Sequence, residues 1–414
     1  MVERRNLPLD GLVVVDLSQV YQGPYATYLM AKAGASVIKV EPITGEPIRQ
    51  RHSISKGSGA PFAMLNGHKK CITLNLKSEQ GKALLKKLVA QADVLVENYA
   101  PGVMDRLGVG WDVLREVNPK LIYASGTGYG LSGPDRENLA MDITIQAASG
   151  LMSVTGFPDG PPVKAGGAVT DFLSGTHLYA GVMTALYERH FTGQGRLVEI
   201  AMEEVMFPTF ASNLSFMYDS DCVPPRTGNH HGGLAAAPYN VYQVKDGYVA
   251  IIGVNDQHWQ SLLEVVGRLD IKDDERFKTK VNRVRYIAET DEIVSTWAAT
   301  LTRAEACAIL KVHKVPHAPV RNLREVADDK HMHERKTLEW LDHPEFGRIV
   351  IPDSPIRIHG ADRLPAVASA SLGQHTDEVL QSMLGLSKQE IQDLKAAGVV
   401  SQAQSANVHP ATSN

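Results

Sequence analysis

Between residues 12 and 125, short apolar runs alternate with helical stretches four times, and this alternation limits the fold more than any other feature. Residues 12–17 (LVVVDL) read as a buried strand rich in β-branched side chains. After the loop SQVYQG, Pro24 stands at a helix start, and helical sequence runs to about Ala33, where Gly34 ends it. Residues 35–41 (ASVIKVE) form the next strand and complete a βαβ unit. Strands at 71–76, 93–97 and 121–125 continue the pattern, with one intervening helix capped by Ser78 and another closing at Val117. The expected fold is α/β, a doubly wound, mainly parallel, Rossmann-like sheet in a large domain. Ligands on such sheets bind at the carboxyl ends of the strands, so the loops starting at Ser18, Glu41, Asn98 and Gly126 should share one edge. Gly23 is the only glycine of the first connecting turn, so the GxGxxG dinucleotide fingerprint is missing.

Residues 42–69 read as a long, irregular, polar loop holding Arg49, Arg51 and His52. Further on, GQGRLVEIAMEE reads as a strand running into a helix. The texture then changes. Residues 224–238 (PPRTGNHHGGLAAAP) have linker or mobile-loop composition, and strands at 239–244 and 248–254 pair around Lys245-Asp246-Gly247. With helices near 256–267 and 302–312 and an apolar segment at 317–320, residues 225–325 form a second, smaller α+β domain after a first large-domain part at 1–224. The sequence is then helical, extended around 349–358, helical again at 387–396, and ends in a Ser/Ala/Asn-rich stretch, 401–414, that reads as a disordered tail.

Composition excludes several partners. With 42 basic and 46 acidic residues the net charge is −4, and no basic stripe interleaved with aromatics marks a nucleic-acid surface. The run at 12–15 is too short for a signal peptide or a membrane span, so no membrane partner is expected. Cys71, Cys222 and Cys307 are scattered without a CxxC, which fits a reducing, cytoplasmic setting. The histidine pairs His230-His231 and His331/His333 lack carboxylate or thiolate company, so no metal site is expected.

The chemistry concentrates at residues 163–188 (VKAGGAVTDFLSGTHLYAGVMTALYE). Gly166 and Gly167 precede Asp171, Gly175 follows it, and Leu178, Tyr179, Val182, Met183 and Leu186 recur at helical spacing. Asp171 is thus expected at or near a helix N-terminus, where the dipole favours its charge and small neighbours let another molecule approach. The plainer reading is an N-cap beside a glycine turn. Glu97, Asn98 and Arg106 suit either solubilising surface polarity or the edge of a phosphorylated ligand, with Arg106 as fixed positive charge. Lys39 and Lys77 read as solvated. The glycines of TGNHHGG suit a plain loop or a flap that closes over a reaction centre.

Several blocks resemble one family in matching order over residues 8–400: PLDGLVVVDLSQVYQGPYATYLMAKAGASVIKVEP, LNGHKKCITLNLKSEQGKALL, ADVLVENYAPGVMDRLG, GGAVTDFLSGTH and LGQHTDEVLQSMLGLSKQEIQDLKAAGVV. Together they resemble the family III CoA-transferases, the formyl-CoA transferase and carnitine CoA-transferase superfamily. The resemblance implies a large domain built from both chain ends, with 326–400 returning to it, and an interlocked homodimer. It places the nucleophile on Asp171. CoA-contacting positions fall on Tyr21, Gln22, Leu74, Asn75, Leu76, Lys77, Asn98, Tyr99, Ala100 and Arg106. Gly228, His230, His231, Gly232 and Gly233 would form a shortened substrate flap. Pro42 stands where the family has a basic residue.

The implied reaction moves CoA from an acyl-CoA donor to a small carboxylic acid through an aspartyl mixed anhydride and an aspartyl-CoA thioester, with no cofactor beyond CoA as co-substrate. An α-methylacyl-CoA racemase resembles this chain too, but needs a histidine where LAMDIT places Met141, and a thioether exchanges no protons. A catalytically silent CoA-binding protein is the reading from another class, and intact Asp171 with its glycines argues against it.

Overall fold

The computed structural model describes residues 6–49, 59–220 and 222–401; Arg51, His52 and the tail beyond Ser401 lie outside the described residues. The chain divides into two compact units. One comprises Met1–Ile145, Ala168–Val205 and Asp329–Asn414, the other Gln146–Gly167 and Met206–Asp328. The second unit therefore starts at Met206 and takes in an earlier segment, whereas sequence texture put its start at 225.

The first unit carries a six-stranded sheet in the order β3-β2-β1-β4-β5-β6. Its strands are β1 (Val13–Asp16), β2 (Ser36–Glu41), β3 (Lys69–Thr73), β4 (Val94–Glu97), β5 (Ile122–Thr127) and β6 (Arg196–Ala201). All pairings are parallel, which makes this the doubly wound fold expected from the alternation. Both faces are covered, so inner strands read as continuous apolar runs. Val15, Ile38, Ile72 and Leu95 face the helices Glu79–Val89, Trp111–Val117, Thr376–Leu384 and Lys388–Ala396. Val14, Val37, Val94 and Ile122 face the helices Gln22–Lys32 and Val169–Thr192. Each fully buried Val or Ile contributes about 1.5–3 kcal/mol. Helices from the C-terminal stretch thus complete the core begun by the first strands. The same stretch covers the β3 edge, where the Thr73 hydroxyl donates to the Ser401 carbonyl at 3.0 Å.

Three local expectations change. Residues 60–66 form a helix, Ala60–Asn66, inside the stretch expected to be irregular, because Phe62 and Leu65 bury an apolar face. After β6 the chain enters turns rather than a helix. Lys39 is fully buried, since Glu46 answers its charge at 3.1 Å.

In the second unit, β7 (Tyr239–Val244) and β8 (Gly247–Ile252) form the expected hairpin, and β9 (His317–Pro319) adds an antiparallel third strand. The helices Asp256–Val266, Ile287–Ala298 and Arg303–Val312 pack on it through Trp259, Val294 and Leu310. Back in the first unit, β10 (Leu338–His343) and β11 (Gly347–Pro352) make an antiparallel pair, of which only the second strand was legible.

Candidate active site

The 24-residue helix Val169–Thr192 begins after Ala168, so Asp171 lies in its first turn and is not the N-cap. Ala168 has no side chain with which to cap. Asp142 caps from outside instead: its Oδ1 accepts from the Thr170 amide at 3.0 Å and from the Thr170 hydroxyl at 2.7 Å. Asp171 itself is half-buried, and its carboxylate accepts no hydrogen bond from any described residue. Burial, and then the charge of Asp142, pushes it up to about 7. The helix dipole acts the other way with only ~0.3–1 kcal/mol, so burial wins. The result is a poorly solvated carboxyl that is part-ionised near neutrality, and its ionised fraction is chemically able to act as a nucleophile.

The turn after β1 lies against this helix. A Cβ at Gly175, one turn after Asp171, would sit 2.5 Å from the Gln22 carbonyl oxygen, so only glycine permits the approach. The Tyr21 ring stacks on Phe172 at 5.8 Å between centroids, and Tyr25 meets it edge-on at 4.9 Å. Gln22 is 2% exposed, its side chain lies against Gly126, and its Nε2 has no hydrogen-bond partner among the described residues. A buried amide donor without a partner costs about 1–3 kcal/mol, which a ligand carbonyl would offset.

The other expected CoA positions gather at the same sheet edge. Leu74 is core, and Asn75, Leu76 and Lys77 carry the chain from β3 to the Ser78 cap, with only Lys77 fully exposed. At the point where strand order reverses, Asn98 bridges the loops after β1 and β4. Its Oδ1 accepts from the Gln19 amide at 2.7 Å and its Nδ2 donates to the Gln19 carbonyl at 2.9 Å. Tyr99, Ala100 and Arg106 line a cavity of about 370 Å³ together with Ser125 and Arg136. Glu97, far from solubilising a strand end, is buried on the wall of this cavity and is pushed up to about 7 mainly by that burial. Ser125 beside it is buried as well.

The glycine loop belongs to the second unit and is tied down there. His230 Nε2 lies 2.7 Å from Asp291 Oδ2, and Asp291 also accepts from Asn240 Nδ2 at 2.7 Å and the Tyr242 hydroxyl at 2.6 Å. His231 Nδ1 accepts from the Gly233 amide at 3.1 Å. A Cβ at Gly232 would meet the Asn213 amide at 2.7 Å, one at Gly233 the Ser212 carbonyl at 2.4 Å, and one at Gly228 the Phe157 ring at 2.9 Å. Among the described residues, no group of three or more His, Cys, Asp or Glu side chains is placed to hold a metal ion.

Sequence reasoning missed two residues. Asp142 as cap gave no local signal, since it precedes Thr170 by a whole loop and helix. Glu46 sits in an irregular stretch, and only the fold shows it against Lys39 and the turn after β1.

Comparison with known proteins identifies the family. The model of CoA-transferase family III matches residues 9–376. A formyl-CoA:oxalate CoA-transferase of Streptomyces avermitilis is 34% identical over 412 residues, which cover 95% of this chain and 99% of the relative. The succinyl-CoA–L-malate CoA-transferase beta subunit of Chloroflexus aurantiacus is 31% identical, with coverages of 95% and 98%. Among solved structures, a CAIB/BAIF family protein from Brucella suis superposes with a TM-score of 0.80 at 32% identity, covering 92% of this chain and 100% of that one. A Mycobacterium tuberculosis protein gives 0.79 at 29% identity, with coverages of 90% and 99%. A family match that runs through most of the chain, with relatives above 30% identity over nearly its whole length, places this chain in the family III CoA-transferases.

Proposed function

We propose that the enzyme moves CoA from an acyl-CoA to a small carboxylic acid, with Asp171 as the nucleophile. The observation that carries this reading is the Asp171 carboxyl: in the first helical turn, half-buried, free of hydrogen bonds from described residues and raised to about 7. An Asp171 oxygen attacks the thioester carbonyl, the C–S bond breaks, and CoA thiolate leaves behind a mixed anhydride. The thiolate then attacks the Asp171 carbonyl, releasing the donor's carboxylate and leaving an aspartyl-CoA thioester. The acceptor carboxylate attacks that thioester and forms a second anhydride with loss of CoA thiolate. Attack of the thiolate on the acceptor carbonyl yields the new acyl-CoA and frees Asp171. Charge develops on a carbonyl oxygen in each step, and the unpartnered Nε2 of Gln22 is a donor suited to it.

CoA itself is assigned to the edge formed by Tyr21, Gln22, residues 74–77, residues 98–100 and Arg106, with the cavity beside Arg106 and Arg136 taking part of its length. The relatives named for formyl-CoA with oxalate and for succinyl-CoA with L-malate support short carboxylic acids as the exchanged groups. A proton-transferring racemase reading has less support, because Met141 offers a solvent-exposed thioether where that reaction needs an acid or base. We also assign a homodimer, supported in the first unit by the exposed apolar side chains Leu139, Met141, Tyr187 and Phe191. A cytoplasmic setting fits three scattered cysteines without a CxxC. Crossing formyl-, oxalyl- and succinyl-CoA with a panel of small acids tests the reading: transfer is expected for at least one pair, and hydrolysis or epimerisation without transfer for every pair overturns it.

A further inference from the structure

Val20 is a β-branched residue held at φ 64°, a left-handed conformation that such side chains resist at a cost of order 1–3 kcal/mol. Strain of that size persists only where neighbours over-determine it. Here the neighbour is Glu46. Its Oε2 accepts from the Val20 amide at 2.9 Å, while its Oε1 lies 3.1 Å from Lys39 Nζ. Lys39 Nζ in turn donates to the Ser18 carbonyl at 2.7 Å, so one ion pair grips the turn on both sides of Gln19. Both side chains are at most 1% exposed, and removing either partner leaves a buried charge unanswered. Glu46 is itself fixed, because its amide donates to Glu41 Oε2 at 3.3 Å and Glu41 is clamped by Arg49 at 2.7 Å.

What the turn presents gives the strain its meaning. Immediately after Val20 come Tyr21, stacked on Phe172, and Gln22, whose carbonyl fits the gap at Gly175 and whose buried Nε2 lacks a partner. Phe172 and Gly175 flank Asp171 on its own helix. We propose that Glu46 is a positioning residue for the transfer reaction: by binding the Val20 amide against Lys39 it holds the left-handed turn that seats the Tyr21 ring and the Gln22 carbonyl against Phe172 and Gly175 on the Asp171 helix. This inference rests on Asp171 being the nucleophile. Glu46 touches neither substrate nor reacting atoms and acts through the backbone alone.

The test is a cycle of Glu46→Gln, Val20→Gly and the double variant, read as kcat and KM for acyl-CoA and as hydrogen exchange of the peptide spanning residues 17–25. Glycine adopts a left-handed turn without the side-chain penalty, so it should relieve the need for Glu46. Glu46→Gln alone should lower kcat/KM on the order of tenfold to a hundredfold, mostly in kcat, and speed exchange in that peptide. Val20→Gly alone should cost less than about threefold, and in that background Glu46→Gln should lose most of its effect. A loss of equal size in both backgrounds, or exchange left unchanged by Glu46→Gln, overturns the proposal. Should Glu46→Gln fail to fold, Glu46→Asp carries the same cycle, because it keeps the charge facing Lys39 and withdraws the carboxylate from Val20. The exchange readout does not depend on turnover, so a wrong assignment of Asp171, seen as full activity in Asp171→Asn, is distinguishable from a wrong assignment of Glu46.

Discussion

Asp142 Oδ1 accepts a hydrogen bond from the Thr170 amide at 3.0 Å, one residue short of Asp171. One carboxylate therefore closes the helix end on which another is expected to react, and its charge adds to the burial that raises Asp171. Asp142→Asn should keep the cap through its amide oxygen and remove the charge. The acidic limb of the kcat/KM profile should then move down by about half to one pH unit. A profile that stays in place would separate Asp142 from the titration of Asp171.

On the proposed mechanism, only the ionised Asp171 carboxyl attacks a thioester. With the group raised to about 7, kcat/KM should rise with pH through about 7 and level off above it. Steady-state rates between pH 5.5 and 8.5, at constant ionic strength, check this. A flat profile over that range would contradict a raised nucleophile.

The same shift bears on stability. Asp171 binds its proton more tightly folded than unfolded, so between about pH 4 and pH 7 the folded state holds more protons and stability falls as pH rises. Above pH 7 the cost is fully present, at most ~4 kcal/mol. Asp171→Asn should therefore unfold at higher denaturant concentration than the unaltered protein at pH 8, by ~1–4 kcal/mol. The advantage should shrink towards pH 5.

Arg106 is exposed on the wall of the cavity that holds Tyr99 and Ala100, so its charge is available to a phosphorylated ligand. Arg106→Ala should raise KM for acyl-CoA about tenfold, the loss of one charge-assisted contact, with kcat nearly unchanged. An unaltered KM would remove Arg106 from the CoA site.

The loop carrying Gly228 and Gly233 is anchored by His230 on Asp291. If it shields the anhydride from water, His230→Ala should raise the ratio of free CoA released to new thioester formed, because a loosened loop admits water. Substituting Gly232 or Gly233 is a poorer probe, since any side chain there meets Asn213 or Ser212. An unchanged ratio with unchanged transfer would make the loop a connection only.

Much of this was legible in the chain because its first strands are buried on both faces and therefore read as unbroken apolar runs, as in residues 12–17 and 93–97. The helix after Asp171 was equally plain from Leu178, Val182 and Leu186. Lys39 was misread, because a lysine in a strand looks solvated until the fold brings Glu46 to it from a stretch without periodicity. Asp142 escaped for a related reason: capping normally comes from the residue at the helix start, and here it comes from 28 residues away. Met206 as the start of the second unit carried no local mark, since unit boundaries follow contacts and not turn composition.

The central claim is a covalent bond between CoA and Asp171. Intact-protein mass spectrometry after mixing with acyl-CoA and quenching in acid tests it most directly. A CoA-sized adduct is expected on the unaltered enzyme, mapping to the peptide that contains Asp171 and missing from folded Asp171→Asn. Transfer by Asp171→Asn at the rate of the unaltered enzyme, or an adduct on any other residue, would contradict the account.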